Sequence, residues 1–407
     1  VDKMSGPGTH GVVGYDSVCN HRLAEPQVRT GPMRILPRRW VGLDVHADTI
    51  VVAVAEESGE PAVLDTVRTT QELLKLLRRL GTSSTLQICY EAGPTGFVLQ
   101  RELAAAGFEC LVVAPSKVPA MPGDKVKTDR RDAQKLARFL RTGDLKSVWV
   151  PDTRTEALRD LSRCRSAARD ALHAARQMLG KFLLRHGFKF TEKAKKWGER
   201  HLTWIESRQF DQHAQQLVLQ NYLNEVRREQ CRLEELEDSL MKEADSWVRK
   251  PIVTALTSLR GVSTLTAIIL CVELGDFARF DSARTLMGFV GLVPTEDSSG
   301  KRKSRGRITR AGNSHARHVL VEAAWSYRWV PRVGVEHRRR LAAVDKETEN
   351  LAWRAQERLH KRYMHLAMKG KQAVKVVTAI ARELLGFIWD IARRAERRLD
   401  ANLIPQP

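Results

Sequence analysis

The six cysteines, Cys19, Cys89, Cys110, Cys164, Cys231 and Cys271, are scattered, with no CxxC pair and no histidine at metal-ligand spacing. That pattern argues against a zinc site or a disulfide framework and fits a reducing cytoplasm. No apolar run approaches the roughly 18 residues needed to span a bilayer. The opening residues, VDKMSGPGTHGVVGYDS, hold no apolar stretch of the kind a secretory leader requires. Val1 suggests a reading frame that starts at a non-Met codon or is over-extended, so residues 1–38 are expected to form a disordered extension outside the fold. No internal repeat is visible.

What is abundant is positive charge. The 407 residues carry 68 Lys and Arg against 48 Asp and Glu, a formal net charge of +20. A composition of 43% hydrophobic and 29% charged residues is that of a folded chain, long enough for two or three domains. An excess of this size points to a polyanionic partner, with nucleic acid the first candidate.

Hydrophobic periodicity divides the chain. WVGLDVH, TIVVAVAEES and EPAVLDTVRT read as three strands, followed by alternating helices and strands through TDRRDAQKLARFLRTG. The order β-β-β-α-β-α-β-α implies a mixed α/β sheet covered by helices over residues 39–150. Strand signals then vanish. Residues 151–250 carry apolar positions at helical spacing over lengths that suggest a coiled-coil-like arm, or an ordinary pair of packed helices. Residues 251–407 open with a helix, a Gly-containing turn and an apolar helix, a hairpin of the kind that can present backbone amides to a phosphate or simply pack. The remainder reads as mostly helical. Trp325, Trp329 and Trp353 lie among apolar residues at helical spacing, and core packing is favoured over base stacking for each.

Four carboxylates stand out. Asp44 lies mid-strand between Leu43 and Val45, where an unused charge is costly. Glu91 sits at the carboxyl end of a later strand, before Gly93-Pro94. Asp129 and Asp132 share one face at a helix start. Singly, each has a plain structural role open to it, as a cap, a first-turn acid or a turn residue. Together they can converge at one end of a mixed sheet, as in ribonuclease-H-like domains. Their mutual repulsion calls for cations, and oxygen ligands suit Mg²⁺. Two ions about 4 Å apart would clamp a phosphodiester.

A second stretch, PTEDSSGKRKSRGRITRAGN, places two serines and a glycine ahead of Lys301, Arg302, Lys303, Arg305, Arg307 and Arg310. Most such segments are basic loops. A serine here could instead attack a phosphodiester, with neighbouring cations offsetting the charge that builds on phosphate oxygens. Gly300 and Gly306 would let the backbone approach a strand closely.

GLDVHADTIVVAV, YEAGPTGFVLQRELAAAG, KTDRRDAQKLA, GLVPTEDSSGKRKSRGRITRAGN and AWRAQERLHKRY together resemble the DEDD-type transposases of the insertion-sequence-110 family, from about Trp40 to Arg394. The resemblance implies a RuvC-like domain whose carboxylates are Asp44, Glu91, Asp129 and Asp132, and a C-terminal transposase domain supplying a serine nucleophile. Ser299, directly before the glycine, corresponds best to that serine, with Ser298 second. It further implies a composite site for Mg²⁺-dependent cutting and rejoining of DNA, a structured guide RNA from the element, a homo-oligomer and a nucleoid-associated life in the cytoplasm. Arg302, Arg305, Arg307, Arg310 and Arg317, with Lys301 and Lys303, are the expected nucleic-acid contacts. Two rivals fit the same residues: a junction-resolving metal nuclease that uses water, and a non-enzymatic nucleic-acid-binding protein.

Overall fold

The computed structural model describes residues 38–119, 128–299 and 302–403. Most of the expected N-terminal extension, as well as Gly300 and Lys301, lies outside these residues. The chain divides into two compact units, one ending at Val148 and the other starting at Trp149. The expected arm and the expected C-terminal domain both fall in the second.

The first unit is a five-stranded mixed sheet. Strands β1 (Arg39–Val45), β2 (Ile50–Ala55) and β3 (Ala62–Val67) form an antiparallel meander; β4 (Leu86–Glu91) and β5 (Cys110–Val113) add in parallel on the far side of β1, giving the order β3-β2-β1-β4-β5. Helix α1 (Thr70–Leu80) begins with a reciprocal cap: the Thr69 hydroxyl accepts from the Glu72 amide, and the Glu72 carboxylate accepts from the Arg68 amide. Helix α2 (Val98–Ala105) follows β4, and α3 (Asp129–Thr142) closes the unit, stopped by Gly143 in a left-handed conformation.

Strand alternation sorts the residues of β1 between two faces. Val41 and Leu43 are fully buried on one of them, as are their register partners Ile88 and Tyr90 on β4. Gly42 and Asp44 point to the other, where α3 lies. A Cβ on Gly42 would sit 2.3 Å from the Ala133 carbonyl oxygen and 2.4 Å from the Ala137 amide nitrogen. Only glycine allows the helix to lie this close to the strand.

In the second unit, α4 (Thr153–Arg185) and α6 (His213–Asp245) are 33 residues each, about 50 Å at 1.5 Å per residue. They pair antiparallel, because Arg165 binds Glu237 and, further along, Arg176 binds Gln230. Leu172, Leu179, Phe182 and Leu183 of α4 bury against Leu219, Leu223 and Val226 of α6, with Ile205 of the intervening α5 (Glu199–Glu206).

The larger core is built by α7 (Lys250–Leu256), the strongly apolar α8 (Thr264–Leu274), α9 (Ala283–Val290), α10 (Ser314–Ala324), α11 (Val335–Leu341), α12 (Lys346–Met368) and α13 (Ala373–Leu403). Between α9 and α10 the expected basic loop is a two-stranded antiparallel ribbon, β6 (Pro294–Ser299) and β7 (Arg302–Ile308). The sequence of both strands is rich in charged and hydroxyl residues, so the two-residue hydrophobic alternation that announces a strand is absent. Trp325 packs against the core as expected, whereas Trp329 and Trp353 are 58% and 40% exposed. Trp329 lies past the end of a short 3₁₀ turn in extended backbone, and Trp353 lies on the outward side of α12, neither of which the apolar spacing showed. No helix among the described residues is long and apolar enough to cross a membrane.

Candidate active site

The close approach at Gly42 sets the geometry of the carboxylates. Two residues further along β1 is a step of about 6.6 Å, and one turn back along α3 is about 5.4 Å. From Gly42 and Ala133 these steps lead to Asp44 and Asp129. Their carboxylates meet through His46, whose Nε2 lies 3.2 Å from Oδ2 of Asp44 and 3.5 Å from Oδ1 of Asp129. One ligand atom from each of the three residues falls within 4.8 Å of the others.

Glu91 comes from the neighbouring strand. The parallel register places Leu43 opposite Tyr90, so Asp44 and Glu91 are the next residues on each strand, on the face that α3 covers. Glu91 is itself paired with Val113 in the sheet rather than serving as a turn residue. Asp132 stands in the first turn of α3, one position before the Ala133 that meets Gly42. The helix is capped by Thr128, whose side chain accepts from the Arg131 amide, so Asp129 is not spent on capping.

Burial raises the affinity of the half-buried Asp44 carboxyl for its proton, outweighing the attraction of His46, and the negative charges of Asp129 and Asp132 push the same way. A carboxylate that is partly desolvated among like charges at the carboxyl edge of two parallel strands has the character of a cation ligand. These donors fit a divalent ion, and the imidazole widens the choice from Mg²⁺ toward Mn²⁺. His46 was not among the expected site residues. Its signal was present, since residues two apart on a strand share a face, but strand β1 ends at Val45 and the histidine lies just beyond it.

The serine stretch belongs to the second unit. Ser299 is the last residue of β6 and pairs with Arg302, while Ser298 pairs with Lys303 and Asp297 with Ser304. Arg305 lies opposite Glu296, Arg307 and Arg310 are exposed, and Arg310 has a positive φ of 54°.

The base of the ribbon is tightly held. The Thr309 amide donates to the Val293 carbonyl and the Arg310 amide to Gly291. Gly312 has φ 80°, and a Cβ there would fall 1.9 Å from the Phe289 carbonyl oxygen. Arg317 donates to the carbonyls of Val290 and Ala311, so part of its guanidinium serves the fold.

Asn313 caps α10 by accepting from the Ala316 amide, and its Nδ2 donates to Glu273 at 2.6 Å. The Glu273 carboxylate, 3% exposed, also takes both nitrogens of an Arg163 fork at 2.9 and 3.0 Å. Burial opposes its charge, but the hydrogen bonds from Arg163 and Asn313 prevail and hold the carboxyl below the usual glutamate range. This buried carboxylate ties α4, α8 and the start of α10 together. Sequence reasoning missed it, because Glu273 lies in an apolar helix and its partners are 110 and 40 positions away.

Both ends of this arrangement coincide with known protein families. Residues 41–187, which include all four carboxylates, match a family described as transposase of the IS110 DEDD type, and residues 253–336 match the transposase IS116/IS110/IS902 family. A putative transposase, y4qE, of Sinorhizobium fredii is 42% identical over 380 residues, covering 92% of this chain and 94% of that protein. The chain belongs to the IS110 family of transposases. The transposase for insertion sequence element IS1533 of Leptospira borgpetersenii is 31% identical over 83% of this chain and 99% of its own length. That for IS1328 of Yersinia enterocolitica is 23% identical over 70% of this chain. Family membership makes DNA the partner of this basic transposase.

Proposed function

We propose that this transposase cuts and rejoins DNA through a ribonuclease-H-like carboxylate centre of Asp44, Glu91, Asp129 and Asp132, joined by His46, and through Ser299 as nucleophile. The observation that carries the reading is the convergence of Asp44, Asp129 and His46 within 4.8 Å at the carboxyl end of β1, with Glu91 at the matching end of β4. Bound divalent ions, two of them if all four carboxylates take part, would supply positive charge for the phosphate oxygens. The protein's part is to hold the carboxylates on a rigid strand pair and helix terminus, with Gly42 setting the spacing.

The serine step balances as a transesterification. The Ser299 hydroxyl oxygen bonds to phosphorus as the bond from phosphorus to the leaving sugar oxygen breaks, and the hydroxyl proton passes to that oxygen. The phosphoserine link conserves the ester for religation, when a DNA hydroxyl attacks and the serine takes a proton back. Support for Ser299 over Ser298 is its position as the last residue of β6, directly before Gly300 in the sequence and paired with Arg302. Arg302, Lys303, Arg305, Arg307 and Arg310, with Lys301 and the free part of Arg317, would neutralise phosphates. Each such contact adds about 0.9 to the salt slope of DNA binding. Guidance by a structured element RNA, assembly as a homo-oligomer and a nucleoid-associated cytoplasmic location complete the proposal.

The test is to incubate the purified protein with its element's terminal DNA, flanking RNA and Mg²⁺, and to search for a serine-linked DNA adduct by mass spectrometry. Ser299→Ala should abolish adduct and strand transfer while DNA binding persists; an adduct that survives removes Ser299 from the mechanism. Asp44→Asn should end metal-dependent cleavage. Cleavage by Ser299→Ala that releases hydrolysed ends would favour the water-using nuclease instead.

A further inference from the structure

Beside α5, between the end of α4 and the segment that follows it, lies a pocket of about 620 Å³ that the transposition chemistry above does not use. Its size is that of a typical small-ligand site, roughly 300–1,000 Å³. Four aromatic side chains line it: Phe188, Phe190, Trp197 and Trp204. Four cations accompany them, Arg176, Lys181, Lys189 and Lys196, and no acidic residue lines the wall. Flat apolar rings among unopposed positive charges suit a ligand with a planar ring and an attached phosphate.

Three details show that this wall is built beyond what packing asks for. Gly180, inside α4, also lines the pocket, and a Cβ added there would meet nothing within 4 Å. A glycine inside a helix weakens it, and no neighbour here demands one. The space beside it is open, so a large side chain at this position would project into the pocket. Trp197 adopts a positive φ of 64°, a strained conformation for a bulky residue. It is held by its amide donating to Nδ1 of the buried His201 at 2.9 Å. The Arg176 guanidinium lies over the Trp197 ring, 5.6 Å from its centroid, and is itself fixed by donating to Gln230.

We propose that this pocket takes one unstacked nucleotide of a single-stranded or looped nucleic acid, its base among the rings of Phe188, Phe190, Trp197 and Trp204 and its phosphate toward Lys181, Lys189 and Lys196. Base-on-aromatic stacking with a cationic track is the general mode of single-strand binding. The inference rests on the chain being a nucleic-acid enzyme, but on neither the carboxylate centre nor the serine.

The experiment is fluorescence anisotropy on the full-length protein with three probes: a 12-nucleotide single-stranded DNA, the same sequence as RNA, and its blunt DNA duplex. Gly180→Leu should fill the pocket and weaken single-strand binding about tenfold, the order expected for one lost stacked base. Duplex binding should stay within twofold. The melting temperature should hold or rise, since leucine favours a helix over glycine. Lys181→Gln with Lys196→Gln should lower the salt slope for the single strand by about one unit. Equal losses on DNA and RNA assign the shared base and phosphate; a loss confined to RNA adds the 2′-hydroxyl, and one confined to DNA makes DNA the ligand. Single-strand binding by Gly180→Leu within twofold of the unsubstituted protein overturns the proposal, as does a parallel fall in duplex binding. All three affinities are read in EDTA, which leaves the carboxylate centre without cations, so failure of the pocket and failure of the cleavage chemistry read out separately.

Discussion

Gly42→Ala is the smallest change that tests how the carboxylates are positioned. The added methyl carbon would lie 2.3 Å from the Ala133 carbonyl oxygen, 2.4 Å from the Ala137 amide nitrogen and 3.0 Å from the Leu136 Cβ. The first two neighbours are helix backbone and cannot rotate away. Ordinary carbon contacts begin near 3.4 Å, so α3 must retreat from β1 by about 1 Å. Overpacking of this kind costs about 1–3 kcal/mol. The retreat also carries Asp129 and Asp132 away from Asp44, and a misplacement of about 1 Å can lower a rate about a hundredfold. Three measurements on the full-length protein read the effect. Thermal melting should fall, hydrogen exchange should speed up in peptides covering residues 129–142, and strand transfer should drop by one to two orders of magnitude. Unchanged melting together with unchanged exchange in α3 would refute the argument, because the helix would then not bear on Gly42 as described.

Two further outcomes concern the Glu273 anchor. Arg163→Met leaves a buried carboxylate without its fork and should destabilise the protein by about 1–3 kcal/mol, measured by urea unfolding, since the Arg163 side chain is itself half exposed. A loss under 1 kcal/mol would mean that Asn313 suffices. The pH dependence follows from the same group. Its carboxyl is held below the ordinary glutamate value of about 4.3, so the folded state binds the proton less tightly than the unfolded state. The stability Glu273 contributes is therefore present above that value and is lost as pH falls through and below it. The acid limb of the stability curve should flatten in Glu273→Gln; an acid limb identical to that of the unsubstituted protein would show that other carboxylates dominate it.

Local patterns carried much of this protein in the sequence itself. The first-unit strands announced themselves because a buried sheet needs β-branched and apolar runs, as in IVVAVA. The helices of the same unit did so through caps and stops such as Thr69, Thr128 and Gly143. The +20 charge and the family motifs pointed to a nucleic-acid enzyme before any fold was known. The four carboxylates were legible as candidates because charge inside or at the end of an apolar strand is costly without a purpose.

Other features depended on the fold. The β6–β7 ribbon was hidden, since its charged and hydroxyl residues carry no hydrophobic alternation. His46 joined Asp44 and Asp129 only once α3 had closed on Gly42. Arg163, Glu273 and Asn313, far apart in sequence, became one anchor. Gly180, an unremarkable residue in a helical run, became the floor of a pocket when Phe188, Trp197 and Trp204 folded back beside it. The sequence determined which residues could do chemistry and which segments would be helix or strand, because those depend on side-chain type and short-range spacing. Which residues meet was decided by tertiary packing, because helix-to-strand distance, burial and hydrogen-bond completion are properties of segments brought together from distant parts of the chain.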